Sequence, residues 1–195
     1  FYEKLKNDFS EKILVESGLF YLDEKKNIYV ERFRDRIIFP INNISGQPIG
    51  LGGRTIQENS YMAKYINSPE TPFFKKGSNL YNLDIARKLS NKIDHVYLVE
   101  GYMDVIGLSK NGIENVVANL GTSLTDRQIL ILNQFFDDII ICFDGDESGY
   151  KAALRAAENS IKELQPEKQI SFLFLPDGED PDSYANKNGK INFID

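Results

Sequence analysis

The chain has 195 residues, of which 42% are hydrophobic, enough to bury roughly 70% of the surface an unfolded chain would expose, in one domain or two small ones. Its net charge of −6 excludes a uniformly basic nucleic-acid-binding surface, and its longest apolar runs are too short to span a bilayer. The single cysteine, Cys142, excludes an internal disulfide framework and points to a reducing compartment.

The start of the chain is not a signal-peptide pattern, and Phe1 in place of an initiator methionine suggests an excerpt of a longer protein. One histidine, His95, cannot supply a multi-histidine metal site. Any bound metal is therefore expected on carboxylates, which suit Mg²⁺ or Mn²⁺ better than structural zinc. Charge is unevenly spread. Residues 1–95 carry 15 Lys/Arg against 12 Asp/Glu, whereas residues 96–195 carry 8 against 17, a pattern that permits a basic groove beside an acidic centre.

In chain order, Phe9, Ile13 and Leu14 form one helical face ahead of Gly18. Residues 19–22, 27–30 and 37–41 read as strands, with Pro40 favouring an edge or end. Residues 43–46 form a turn, and residues 48–56, with three glycines, suit a hairpin. Pro69 and Pro72 place a loop there, and residues 80–89 have helical spacing.

After residue 93 the rhythm becomes strand, helix, strand, helix. Strands are predicted at 96–99, 116–118, 139–143 and 170–175, with helices near 103–109, 125–133 and 148–164. This alternation predicts a mainly parallel α/β sheet flanked by helices, with ligand-facing loops at the carboxyl ends of its strands. A smaller α+β region precedes it; the boundary is placed between residues 76 and 77.

Acidic residues follow two of those strands directly. One run is Glu100–Gly101–Tyr102–Met103–Asp104, and the other is Asp144–Gly145–Asp146–Glu147–Ser148–Gly149. Carboxylates gathered there can hold Mg²⁺ while substrate phosphates complete its shell, which is the arrangement of phosphoryl-transfer chemistry. Glu100 can exchange a proton with an attacking or leaving oxygen if burial raises its pKa. The competing reading is that these acids cap helix N-termini. A third run, Asp177–Gly178–Glu179–Asp180–Pro181–Asp182, is either a further acidic wall or a solvated loop and helix start.

At these residues the chain resembles the catalytic core of bacterial DnaG-type DNA primases, including their Toprim domain. The resemblance extends through all three acidic motifs. It also covers Arg32–Phe33–Arg34–Asp35–Arg36–Ile37–Ile38–Phe39–Pro40–Ile41, Gly52–Gly53–Arg54, and Lys64–Tyr65–Ile66–Asn67–Ser68–Pro69. It implies a Toprim fold and a DNA-dependent RNA polymerase that makes short RNA primers on single-stranded DNA from ribonucleoside triphosphates. Alternatives from other classes are a Toprim nuclease and a non-catalytic DNA-repair scaffold. By resemblance, Glu100, Asp104, Asp144 and Asp146 are catalytic, and these four with Asp180 and Asp182 form the metal site for Mg²⁺ or Mn²⁺. Arg32, Arg34, Arg54, Lys64, Asn67 and Lys76 map to the wall contacting nucleic acid and nucleotide.

Gly121–Thr122–Ser123 resembles the family loop between the first two acidic motifs. Glu147, Ser148 and Tyr150 depart from the familiar versions of the second motif. The family's zinc-binding N-terminal domain and helicase-interacting C-terminal domain have no counterpart in these residues. The resemblance further implies a replicative helicase as partner and a cytoplasmic place at the bacterial replisome. If Arg32, Arg34 and Arg36 lie on one strand, their side chains share a face and can neutralise phosphates without reading bases. Phe33 is expected to pack rather than stack on a base.

Overall fold

A computed structural model describes residues 1–57, 61–121, 123–163 and 165–194. Thr122 and Leu164, which fall in an expected loop and helix, lie outside them. The chain divides into two compact units, Phe1–Ile41 with Gln47–Lys75, and Asn42–Gly46 with Lys76–Asp195. Among the described residues no helix is long and apolar enough to cross a membrane.

The first unit opens with helices α1 (Tyr2–Leu5) and α2 (Glu11–Glu16). Ser10 caps α2 by accepting from Ile13 N–H, leaving Phe9 outside the helix. Of the expected apolar face only Leu14 is buried; Phe9 and Ile13 are 48% and 53% exposed. Strands β1 (Phe20–Asp23) and β2 (Ile28–Glu31) form an antiparallel hairpin. A separate sheet holds β3 (Arg36–Asn42), β4 (Pro48–Thr55) and β5 (Tyr65–Asn67) in that order. Residues 48–55 thus form one strand between two neighbours, where the glycines of 48–56 suggested a hairpin. Phe33 packs against Gly53, its Cδ1 2.8 Å from where a β-carbon there would lie.

The second unit is an α/β layer structure. Helix α3 (Leu83–Ala86) passes into a 3₁₀ turn at Arg87–Leu89, so the expected helix at 80–89 is shorter and tighter. Then come β6 (His95–Val99), α4 (Tyr102–Lys110), β7 (Val116–Ala118), α5 (Asp126–Leu132), β8 (Asp138–Phe143), α6 (Glu147–Ser160), β9 (Gln169–Phe174) and α7 (Pro181–Ile194). The four strands pair in parallel in the order β7-β6-β8-β9. The chain steps from β6 to one side, then returns past it to β8. The β6/β8 boundary is therefore a topological switch point, where such sheets open a crevice.

Alternation along β6 fills both faces of the sheet. Val96 and Leu98 join Ile139, Ile141, Ile129, Leu132 and Ala153 on one side. Tyr97 and Val99 join Val105, Leu108, Ala185 and Phe193 on the other. Cys142 is fully buried on that second side, as a small apolar residue would be.

Helix α5 begins in a reciprocal cap between Thr125 and Gln128. Gln128 is completely buried. Its Nε2 donates to the carbonyls of Lys76 (3.1 Å) and Asn79 (2.9 Å), and its Oε1 accepts from Thr125 N–H (3.1 Å). Gln128→Leu keeps the volume but strands these backbone groups, which should lower unfolding free energy by about 3 kcal/mol. A urea midpoint within error of wild type would contradict this.

Candidate active site at the carboxyl ends of the parallel strands

Glu100 directly follows β6 and Asp144 directly follows β8, on either side of the switch point. β9 is the next strand, and its outgoing loop carries Asp180. The loops after β8 and β9 are joined through their backbones. Gly145 N–H donates to the Glu179 carbonyl at 2.9 Å, and Gly178 N–H to the Gly145 carbonyl at 3.0 Å. A β-carbon at Gly145 would fall 2.1 Å from the Pro176 carbonyl oxygen. Only glycine lets the Asp144–Asp146 turn come this close to its neighbour.

Capping and clustering both occur. Asp104 Oδ2 accepts from Gly101 N–H at 3.0 Å, Asp146 Oδ1 from Gly149 N–H at 2.7 Å, and Asp180 Oδ1 from Ser183 N–H at 2.6 Å. Each cap occupies one carboxylate oxygen and fixes where the other can point. Among the described residues no Lys, Arg or His lies within ion-pair distance of Glu100, Asp104, Asp144, Asp146 or Asp180.

Their proximity shows in their acidities. Burial raises Asp104 to about 7, helped by Asp144, Asp180 and Glu100 and opposed by the bond from Gly101. Dehydration also raises Glu100, with Asp144 and Asp146 adding repulsion. Asp144 is raised by burial and then by Asp180 and Asp146. Asp182 is placed differently. Its carboxylate accepts from Asn186 Nδ2 and packs on α4 at Gly107, where a β-carbon would collide with it.

Among the described residues no three such side chains converge closely enough to enclose a cation. Mg²⁺ usually takes one or two protein carboxylates and completes its shell with water and phosphate oxygens. Hard, oxygen-only donors carrying uncompensated negative charge fit such an ion.

The basic candidates separate. Arg32 and Arg34 lie not on a strand but in the turn between β2 and β3, which Asp35 closes with φ 52°. The expected one-face alternation with Arg36 is therefore absent. Arg32 Nε donates to the Gly18 carbonyl (3.1 Å) and its guanidinium lies over Tyr21, whereas Arg34 is exposed. Arg36 donates to the carbonyls of Gly53 and Lys64. Arg54 pairs across the sheet with Tyr65, and both its guanidinium and Lys64 Nζ lie 5.7 Å from that ring. Asn67, two positions along β5, shares the Tyr65 face. Lys76 belongs to the second unit, in the 3₁₀ turn Lys76–Ser78.

Sequence reasoning passed over Asn119. It is the first residue after β7, on the same sheet edge, and its backbone N–H donates to the Val99 carbonyl. With Glu100 it lines a cavity of about 150 Å³. The rule that ligand groups follow parallel strands applies to it as it does to Glu100.

The raised acidity of Asp104 gives a signed expectation. Folding hinders its ionisation, so the folded state binds a proton that the unfolded state has released between about pH 4 and 7. Its contribution thus destabilises the metal-free protein as pH rises through that window, by up to about 4 kcal/mol. Asp104→Asn should flatten this decline, most clearly at pH 8. Parallel stability curves for the two proteins, measured with urea in chelator, would refute the coupling.

Comparison with known proteins agrees with this architecture. The family model for the DNA primase catalytic core, N-terminal domain, matches residues 1–87, and the Toprim domain model matches residues 94–174. A DNA primase of Neisseria meningitidis is 46% identical over 93% of this chain and 30% of its own length. A Pseudomonas putida DNA primase is 42% identical over 94% of this chain and 28% of its own. The chain thus spans less than a third of these curated relatives. The crystal structure of a DNA primase domain from Pseudomonas aeruginosa superposes with a TM-score of 0.89 at 44% identity, covering 94% of this chain and 56% of that one. A DnaG primase catalytic domain bound to ssDNA gives 0.89 at 38% identity, covering 99% and 61%. With both domain models matched in order, the chain belongs to the bacterial DnaG-type DNA primase family, as part of a catalytic core with a Toprim domain.

Proposed function

We propose that this chain carries the nucleotidyl-transfer centre of a primase, a DNA-dependent RNA polymerase that makes short RNA primers on single-stranded DNA. The observation behind this reading is the group of carboxylates after β6, β8 and β9, without a protein counter-cation among the described residues, of which Glu100, Asp104 and Asp144 are raised in pKa by burial and by repulsion from acidic neighbours. One or two carboxylates from among Asp104, Asp144, Asp146 and Asp180 would hold Mg²⁺, or Mn²⁺ in its place, with Asp182 docking α7 on α4 at Gly107. Bound there, the ion supplies charge neutralisation and orientation at the reacting phosphates.

In the reaction an RNA 3′-oxygen bonds to the α-phosphorus of a ribonucleoside triphosphate, the bond to the bridging oxygen breaks, and pyrophosphate leaves. Glu100, partly dehydrated at the mouth of the switch point, takes the proton from the attacking hydroxyl. Arg54, Lys64 and Asn67 form one polar strip for template or triphosphate phosphates. In the same unit Arg34 adds charge and Arg32 divides its guanidinium between backbone and phosphate; in the second unit Lys76 offers a further phosphate contact. The protein would work at the replisome in the bacterial cytoplasm, beside the replicative helicase.

Extension of a primer on single-stranded DNA with ribonucleotides and Mg²⁺, resolved by product length, tests the reading; shortened rather than extended products would indicate a nuclease. Asp144→Asn with Asp146→Asn should slow extension at least about 100-fold with the fold retained. Glu100→Gln should lower the single-turnover rate more than it lowers Mg²⁺ or nucleotide affinity. If excess Mg²⁺ restores the Glu100→Gln rate, Glu100 is a metal ligand rather than the base.

The strip on β4 and β5 gives a separate expectation. Arg54→Gln with Lys64→Gln should weaken binding of unrelated single-stranded sequences alike and reduce the salt slope by about 0.7 per lost contact. An unchanged slope in a folded variant would remove these residues from the phosphate path.

A further inference from the structure

We infer that Glu179 is a positioning residue, held by Lys187 and Ser183 of α7, that fixes where Asp180 stands against the Asp144–Asp146 turn. This role rests on the metal-dependent polymerase reading above and belongs to the same site.

Residues 177–182 carry four carboxylates, on Asp177, Glu179, Asp180 and Asp182. Among the described residues Glu179 alone of these pairs with a cation: Lys187 Nζ lies 2.8 Å from its Oε1. Its other oxygen, Oε2, accepts from Ser183 Oγ at 2.8 Å. Ser183 and Lys187 are four residues apart on α7 and so share a face of that helix. The Glu179 side chain is only 19% exposed, while Asp177 and Gly178 before it are exposed. With both oxygens bonded to α7, Glu179 is the acid of this run least available to an ion.

The backbone of the same residue makes a second attachment. Its carbonyl accepts from Gly145 N–H at 2.9 Å, within the turn that carries Asp144 and Asp146. Glu179 is therefore fastened to that turn through its carbonyl and to α7 through its side chain. Asp180 comes next, its Oδ1 accepting from Ser183 N–H (2.6 Å) and its own N–H donating to Ser183 Oγ (3.0 Å). Ser183 thus ties Glu179 and Asp180 together, and Lys187 secures them one helical turn further on. A partly exposed ion pair adds little to global stability, so its effect is local and restricts the loop from which Asp180 meets an ion. Groups that orient a metal ligand tune affinity without touching the ion themselves.

An anchor and an acidic wall differ in the sign of one effect. An ammonium group near a carboxylate cluster repels an incoming cation, so charge alone predicts tighter metal binding by Lys187→Met. An anchor predicts weaker binding. Mn²⁺ affinity is measured at equilibrium from the electron paramagnetic resonance of the free ion. The proteins are the wild type, Lys187→Met, Glu179→Gln and the double variant, each checked for folding by circular dichroism. Each single variant should bind Mn²⁺ about fivefold more weakly, the scale of one partly exposed ion pair. The double variant should be no weaker than either single, because all three lose the same contact. Unchanged or tighter binding by Lys187→Met overturns the anchor, and that variant decides even if Glu179→Gln misfolds, since the Lys187 side chain is 69% exposed. Additive losses in the double variant overturn it as well. A wild type that binds Mn²⁺ but extends no primer overturns the polymerase reading and leaves the anchor standing or falling on the binding data; a wild type that binds no Mn²⁺ overturns both.

Discussion

Carboxylates separate unless something holds them together, and in this chain the restraint is backbone hydrogen bonding between neighbouring loops. Gly145 makes two such bonds, donating to the Glu179 carbonyl and accepting from Gly178 N–H, which keep Asp180 close enough to oppose the ionisation of Asp144. The loops in turn depend on the parallel pairing of β8 with β9 and of β6 with β8, whose side chains fill both faces of the sheet. Hydrophobic burial therefore supports an electrostatically unfavourable cluster that would not assemble in a loose peptide. Tension of this kind is common where a fold is shaped to receive a cation or a charged transition state.

Helix capping and ligand binding do not compete here as they would if each acid had a single oxygen. Asp104, Asp146 and Asp180 each commit one oxygen to a helix-start N–H. That bond removes rotamer freedom, so the second oxygen approaches an incoming ion from a restricted direction. Asp144 has no such tie among its hydrogen bonds, and its carboxylate is the most adaptable of the group.

The second unit was largely legible because burial on both faces gives its strands continuous apolar runs, and because each acidic motif follows such a run directly. Thus 116–118 and 139–143 were read within a residue of the observed strands. The first unit was harder. Its short strands are half-buried, and Arg32, Phe33, Arg34, Asp35 and Arg36 alternate like a strand until the positive φ of Asp35 breaks the run. The three glycines of β4 suggested a turn, yet close packing on Phe33 and Phe74 explains two of them. Beyond an allowed helix start near Asp182, helix α7 is hard to read because its Asn-rich sequence has little helical periodicity and kinks at Gly189. Asn119 could not be singled out from a short apolar strand. Its place beside Glu100 depends on the order in which the strands pair, which only three-dimensional packing defines.

Cys142 illustrates how the same packing silences a reactive group. Its side chain is fully enclosed beneath the acidic site, where burial first and the charges of Asp104 and Asp144 second push the thiol up to about 12. Alkylating reagents attack the thiolate, which is both scarce and inaccessible here. The folded chain therefore offers a clean background for fluorophore chemistry. A cysteine introduced on its surface would take up maleimide dye selectively, without first replacing the native thiol, and loss of that selectivity would report opening of the sheet.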